Sequence, residues 1–165
     1  MNILVVTPQN RVVVRPDTTW VRLNNDFYPP EFVNSLSFTR VLYVRICKPG
    51  RSVGRRFAER YYDLFGRGIL LYPDDLLLDG SPEGFACASC LDHTSYLPCE
   101  MAPKSGLSPE DAARVCSAIE LATRFCYIRV GDLLAIELGP PEHLRSREEG
   151  STKVHEEQAE FGLIF

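Results

Sequence analysis

Residues 38 to 47, Phe-Thr-Arg-Val-Leu-Tyr-Val-Arg-Ile-Cys, form a ten-residue run of aromatic and β-branched side chains that ends at Lys48-Pro49-Gly50. Such residues suit a pleated, half-buried surface, and the proline and glycine then stop the strand. A strand of this length must satisfy its backbone groups against neighbours, so further strands are required. Residues 2 to 6 and 11 to 15 are shorter β-branched runs, separated by Thr7-Pro8-Gln9-Asn10 with the composition of a turn. Trp20-Val21-Arg22-Leu23, Asn24-Asn25-Asp26 and Phe27-Tyr28 before Pro29-Pro30 read as a hairpin. Tyr127 to Val130 and Leu133 to Ile136 flank Gly131-Asp132 and predict another.

Two segments change period. Phe57, Tyr61, Leu64 and Phe65 share one helical face, with Arg55, Arg56, Glu59, Arg60 and Asp63 around it and Gly66 and Gly68 as stops. Ser108 is a natural N-cap, Pro109 suits the first helical position, and Glu110 and Asp111 face the positive end of the dipole. Ala112, Val115, Cys116, Ile119 and Ala122 supply that helix's buried stripe. The pattern predicts an α+β, mostly β domain with two peripheral helices. From Gly139 to Glu160 the chain turns polar and predicts a mobile segment, before a last strand over Phe161 to Phe165.

The whole of residues 1 to 165 fits one domain, long enough to bury a core without disulfides. No stretch approaches the roughly 20 apolar residues of a membrane helix, and Met1 to Pro8 has no basic leader, so a cytoplasmic protein is expected. Residues 1 to 70 carry 11 Lys+Arg against 5 Asp+Glu, and residues 71 to 165 carry 7 against 17. Without a recognition helix, aromatic ladder or zinc finger, that split predicts compensating charges within one domain, or between two subunits, rather than nucleic-acid binding. The basic face of Arg55, Arg56 and Arg60 reads as solvated, as do His143 and His155 in the polar segment.

Cys87-Ala88-Ser89-Cys90, with His93 and Cys99, supplies four ligands of the kind zinc accepts, although all lie within 13 residues. Buried free thiols are the expected reading of these cysteines, and Cys47, Cys116 and Cys126 fall on apolar faces and are expected in the core. A redox role for Cys87 and Cys90 lacks the strand-then-helix-start context of thioredoxin-like motifs. No Gly-x-Ser-x-Gly elbow and no phosphate-binding glycine loop occur.

Val12-Val13-Val14-Arg15-Pro16-Asp17-Thr18 resembles the aliphatic-phenylalanine-x-lysine-proline-aspartate strand and turn of the fumarylacetoacetate hydrolase family. Leu23 to Phe32, Val44 to Ser52 and Arg56 to Asp63 are similar to the hairpin, strand, loop and helix of its short single-domain bacterial branch. Gly68-Ile69, Asp75-Leu76, Leu91-Asp92 and Val130-Gly131-Asp132-Leu133-Leu134 continue the likeness. The resemblance implies a mixed β roll, commonly dimeric, with Trp20, Tyr28 and Phe32 near a subunit interface.

The resemblance also implies Mg²⁺ or Mn²⁺ held by a glutamate-x-glutamate pair and a later aspartate, since hard cations take oxygen ligands. Those three positions fall at Thr39, Val41 and Leu70, none a carboxylate. The family's arginine falls at Asp74 and its active-site lysine at Ser89, just ahead of Asp92. The Asn-Tyr motif and histidine-glutamate helix that supply an acid-base dyad are missing between Val6 and Arg11. The glycine-threonine-proline turn has become Glu137-Leu138-Gly139-Pro140. The expectation is a pseudoenzyme without the family's Mg²⁺ or Mn²⁺, serving a binding, structural or regulatory role as a homodimer or beside an active paralogue. The alternatives are a divalent-metal hydrolase, decarboxylase or isomerase of 2-oxo acids through a rearranged site using Asp74, Asp75 or Asp92, and a small zinc-binding module.

Overall fold

A computed structural model describes residues 1 to 165. Strand β1 (Asn2–Val6) turns tightly into β2 (Val12–Pro16), and β3 (Trp20–Val21) follows a short 3-10 turn. The two longest strands are β4 (Ser35–Ile46) and β5 (Tyr62–Pro73). Helix α1 (Pro82–Cys90) precedes β6 (Ser95–Tyr96) and β7 (Ala102–Pro103), and helix α2 (Pro109–Phe125) precedes β8 (Leu133–Glu137). The chain closes with β9 (Glu142–Ser146), β10 (Thr152–Glu156) and β11 (Ala159–Leu163). The main sheet runs β2-β1-β8-β4-β5-β6-β3, with β7 paired to β5 and β9 to β4; β10 and β11 form a separate hairpin. The mostly β roll expected from the sequence is what forms. No helix is long and apolar enough to cross a membrane.

Because successive side chains of a strand point to opposite faces, β4 sorts its residues between two layers. Leu42, Val44 and Ile46 face α2 and join Val115, Ile119 and Ala122 in one apolar cluster. Further along the same face, Leu36 and Phe38 meet the β10-β11 hairpin through Val154, Phe161 and Leu163. Val41 and Tyr43 face the other way, toward α1, with Ile3, Val5, Leu70, Tyr72 and Ala88. Helix α2 starts as expected: Ser108 Oγ accepts from the Asp111 N–H at 3.1 Å, a cap worth about 1 kcal/mol.

Four expectations are overturned. The helical period across Phe57 to Phe65 produces only a 3-10 helix at Arg55–Arg60; Leu64 and Phe65 belong to β5. Gly66 and Gly68 do not stop a helix. They lie inside β5, where a Cβ would collide with the Tyr43 hydroxyl and the Tyr96 carbonyl oxygen respectively. The hairpin around Asn24-Asn25-Asp26 does not form, since β3 pairs in parallel with β6 and Phe27 bridges to Leu163. Nor does Gly131-Asp132 turn a hairpin: β8 lies between β1 and β4, and the buried Asp132 carboxylate accepts from the Asn2 and Arg129 N–H groups at 2.9 and 2.8 Å.

The fourth concerns residues 139 to 160, which form β9, β10 and the start of β11 rather than a mobile segment. Long-range contacts hold them. Arg40 on β4 reaches Glu142 at 2.7 Å and Glu156 at 2.9 Å, while Arg147 donates to the Pro30 and Val33 carbonyls. Tyr96 stacks on Phe161 with centroids 3.7 Å apart, fixing the hairpin to the sheet. His143 and His155 are exposed, as expected, beside Glu149 and Glu160.

Candidate functional site

The face of the sheet turned toward α1 carries the polar groups with chemical potential. Arg15, at the end of β2, is fully buried and pairs with Ile3 across the β1-β2 ladder. Its guanidinium donates to the Thr94 hydroxyl and carbonyl, to Ser95 Oγ and to the Leu71 carbonyl at 3.1 to 3.3 Å. No carboxylate touches it, and its Nε has no partner. The guanidinium instead lies 4.5 Å from the centroid of the Tyr72 ring, a cation-π contact made stronger by burial.

Tyr72, on β5, donates its hydroxyl to Glu137 Oε1 at 2.6 Å. Glu137 ends β8 and is only 9% exposed. Burial pushes its carboxyl pKa up from the ordinary range, and the Tyr72 hydrogen bond and Arg15 charge only partly offset that. Burial also raises the Tyr72 phenol. Glu137 lies where two cavities meet: a small one of about 130 Å³ walled by Pro8, Leu77, Phe85, Pro140 and Pro141, and a larger one of about 640 Å³ beneath α2. Thr7 and Pro8 of the β1-β2 turn line both.

The chain matches no protein-family model and no curated protein sequence. Among solved structures it superposes on a protein from Yersinia pestis CO92 assigned to the fumarylacetoacetate hydrolase family. The TM-score is 0.78 at 14% identity, over 99% of this chain and 92% of that one. The chain has the fumarylacetoacetate hydrolase fold. It is also similar to a fumarylpyruvate hydrolase from Pseudomonas aeruginosa in complex with Mn²⁺ and pyruvate, with TM-score 0.73 and 14% identity over 88% of this chain and 81% of that one. A 5-carboxymethyl-2-hydroxymuconate delta-isomerase from Mycobacterium smegmatis gives TM-score 0.68 and 13% identity, over 87% and 70%.

Within the fumarylacetoacetate hydrolase fold, three of the positions singled out by resemblance meet in space. Thr39 is opposite Leu70 in the β4-β5 ladder, and Val41, two residues along β4, points to the same face. Val41 and Leu70 have no accessible surface and sit in the apolar cluster with Tyr43 and Ala88. Thr39 is buried, 1% exposed, and its Oγ1 donates to the Gly139 carbonyl at 3.0 Å. One committed hydroxyl and two hydrocarbon side chains do not fit Mg²⁺ or Mn²⁺, which require several oxygen ligands. Glu137 is opposite Val41 in the β4-β8 ladder, but the nearby Arg15 charge opposes a cation there.

The remaining positions disperse. Asp74 accepts from the Ser35 and Ser37 hydroxyls at 2.6 Å each, and Asp75 from the Asn34 and Ser35 N–H groups, which clamps the start of β4. Ser89 is buried in α1 and donates to the Phe85 carbonyl; Asp92 is exposed in the following loop. No group of three or more His, Cys, Asp or Glu side chains lies close enough to share an ion, so Cys87, Cys90, His93 and Cys99 do not close into a tetrahedral set. Four cysteines expected in the interior, Cys47, Cys87, Cys90 and Cys99, are exposed, whereas Cys116 and Cys126 are half-buried and pack against the α2 side of the core as expected. On α1 it is Ala88 and Ser89 that turn inward.

Sequence reasoning missed the Arg15, Tyr72 and Glu137 arrangement. The signal for Arg15 was present, because the resemblance sets a lysine at that place in the strand and a cation there follows from it. For Glu137, the signal was an acid directly ending the apolar run Leu133 to Ile136.

Proposed function

We propose that this chain is a non-catalytic protein built on the fumarylacetoacetate hydrolase fold, acting by binding or as a structural or regulatory subunit. The observation that carries this reading is the side-chain set at Thr39, Val41 and Leu70, where a hydroxyl already bonded to Gly139 and two solvent-free hydrocarbons occupy one face. A divalent ion would exchange its water shell there for nothing of comparable charge. The tight turn from Thr7 to Arg11 supports it, since it leaves no chain length for the acid-base helix that the resemblance implies.

The exposed side chains of Leu23, Tyr28 and Phe32 provide apolar surface through which a second copy, or an active paralogue, would associate. Trp20 contributes little to it, as its indole N–H is turned to the Leu97 carbonyl at 2.7 Å. Incubation with acylpyruvates and other 2-oxo acids in the presence of Mg²⁺ or Mn²⁺ tests the reading. No turnover above protein-free controls is expected. Metal-dependent product formation would overturn it.

A further inference from the structure

We propose that Cys87 and Cys90 are a dithiol that exchanges with small disulfides of the glutathione class and closes into a disulfide within the last turn of α1. This rests on geometry independent of the metal question. Both cysteines are exposed. Three residues apart on one helix, they share a face, and both line a single apolar hollow of about 480 Å³ with Phe32, Leu76 and Leu91. Two thiols therefore open onto the same space.

The position in the helix matters as much as the spacing. Cβ atoms three residues apart on an α-helix are about 5 to 6 Å from each other, whereas a disulfide requires about 3.5 to 4.5 Å. Tightening toward a 3-10 turn brings residues i and i+3 into eclipse and closes that gap. Cys90 is the last residue of α1, Leu91 is already extended at φ −63° and ψ 125°, and its N–H makes no backbone hydrogen bond. No backbone bond from the Leu91 N–H opposes tightening of the final turn, while the Ser81 cap at 2.9 Å from the Gly84 nitrogen secures the opposite end.

Two successive thiolate–disulfide exchanges close the bridge. One cysteine loses its proton and its thiolate attacks a sulfur of the small disulfide; that S–S bond breaks, and the departing thiolate takes up a proton. A mixed disulfide now links the protein to the other small thiol. The second cysteine, as thiolate, attacks the protein sulfur of that link and expels the second small thiol, which is protonated in turn. Two protein thiols have been oxidised to one disulfide, and one small disulfide has been reduced to two thiols.

The test is to treat the fully reduced protein with oxidised glutathione, quench with acid, alkylate, and map the peptides after cleavage before Asp92, which separates Cys99 from the pair. The expected result is a Cys87–Cys90 peptide lighter by two hydrogens, unalkylated and free of glutathione. In Cys87→Ser and Cys90→Ser, the mixed disulfide on the remaining cysteine should persist, because the resolving thiol is gone, whereas Cys99→Ser should behave as the parent. Stable glutathione adducts on Cys87 or Cys90 in the parent protein, complete alkylation of both, or a bridge to Cys99 would each overturn the proposal.

Discussion

The Tyr72 hydroxyl donates a 2.6 Å hydrogen bond to Glu137, and the same ring carries the Arg15 guanidinium 4.5 Å from its centroid. A buried cation and a buried carboxylate are thus coupled through an aromatic side chain rather than by direct contact. Interior charges without a close partner are costly, so this arrangement has consequences for stability that can be measured.

Arg15→Met should destabilise the protein by about 3 to 5 kcal/mol, because it leaves Glu137 uncompensated and strips donors from Thr94, Ser95 and Leu71. Arg15→Lys should recover little of the loss, since one ammonium cannot reproduce a planar fork that reaches three residues and stacks on a ring. Urea denaturation of the two variants beside the parent checks both statements.

Glu137 gives a pH dependence whose sign follows from its raised pKa. A carboxyl that holds its proton more tightly when folded contributes stability below the unfolded value, and that contribution fades as pH rises through the folded value. Glu137→Gln keeps an acceptor for Tyr72 without the charge. Its stability relative to the parent should therefore improve as pH is raised from below 4.5 toward neutrality. Paired denaturation curves across that range decide it; a difference that is flat, or that favours the parent at higher pH, would contradict the assignment.

Gly68→Ala should cost about 2 to 3 kcal/mol, because the added Cβ meets the Tyr96 backbone carbonyl, which cannot rotate away as a side chain can. Gly139→Ala, with open space around the new atom, should stay within about 0.5 kcal/mol of the parent. Thermal or chemical melts of the two variants form an internally controlled pair.

Much of the architecture was legible because the signal was local. The run ending at Lys48-Pro49-Gly50 and the runs on either side of Thr7-Pro8-Gln9-Asn10 became β4, β1 and β2, and Ser108-Pro109-Glu110-Asp111 opened α2. Failures came where a distant partner decided the outcome. Tyr61 to Phe65 has a helical period, yet β4 recruits most of it into a ladder that the sequence of the segment does not encode. The polar stretch from 139 to 160 is held by Arg40, Pro30 and Val33, all far upstream. At the site, the resemblance placed Thr39, Val41 and Leu70 on facing strands, and they do meet. Arg15, Tyr72 and Glu137 come from three separate strands, and nothing in their individual neighbourhoods announces that they touch.

Leu70→Asp tests whether the face opposite Thr39 is a filled interior. A lone carboxylate among Val41, Tyr43 and Ala88 should destabilise the protein on the order of 4 kcal/mol at neutral pH. Acidification should shrink the deficit, because protonation removes the charge that burial penalises. Urea midpoints at neutral and acidic pH give both quantities.

Calorimetric titration of the metal-free protein with Mn²⁺, repeated with Mg²⁺, bears most directly on the claim that the fold persists here without the family's metal chemistry. The side chains of Thr39, Val41 and Leu70 predict only the heat of dilution. A saturable isotherm at one equivalent, reproduced in an Asp74→Asn variant and abolished in Glu137→Gln, would contradict it and locate the ion on the buried carboxylate.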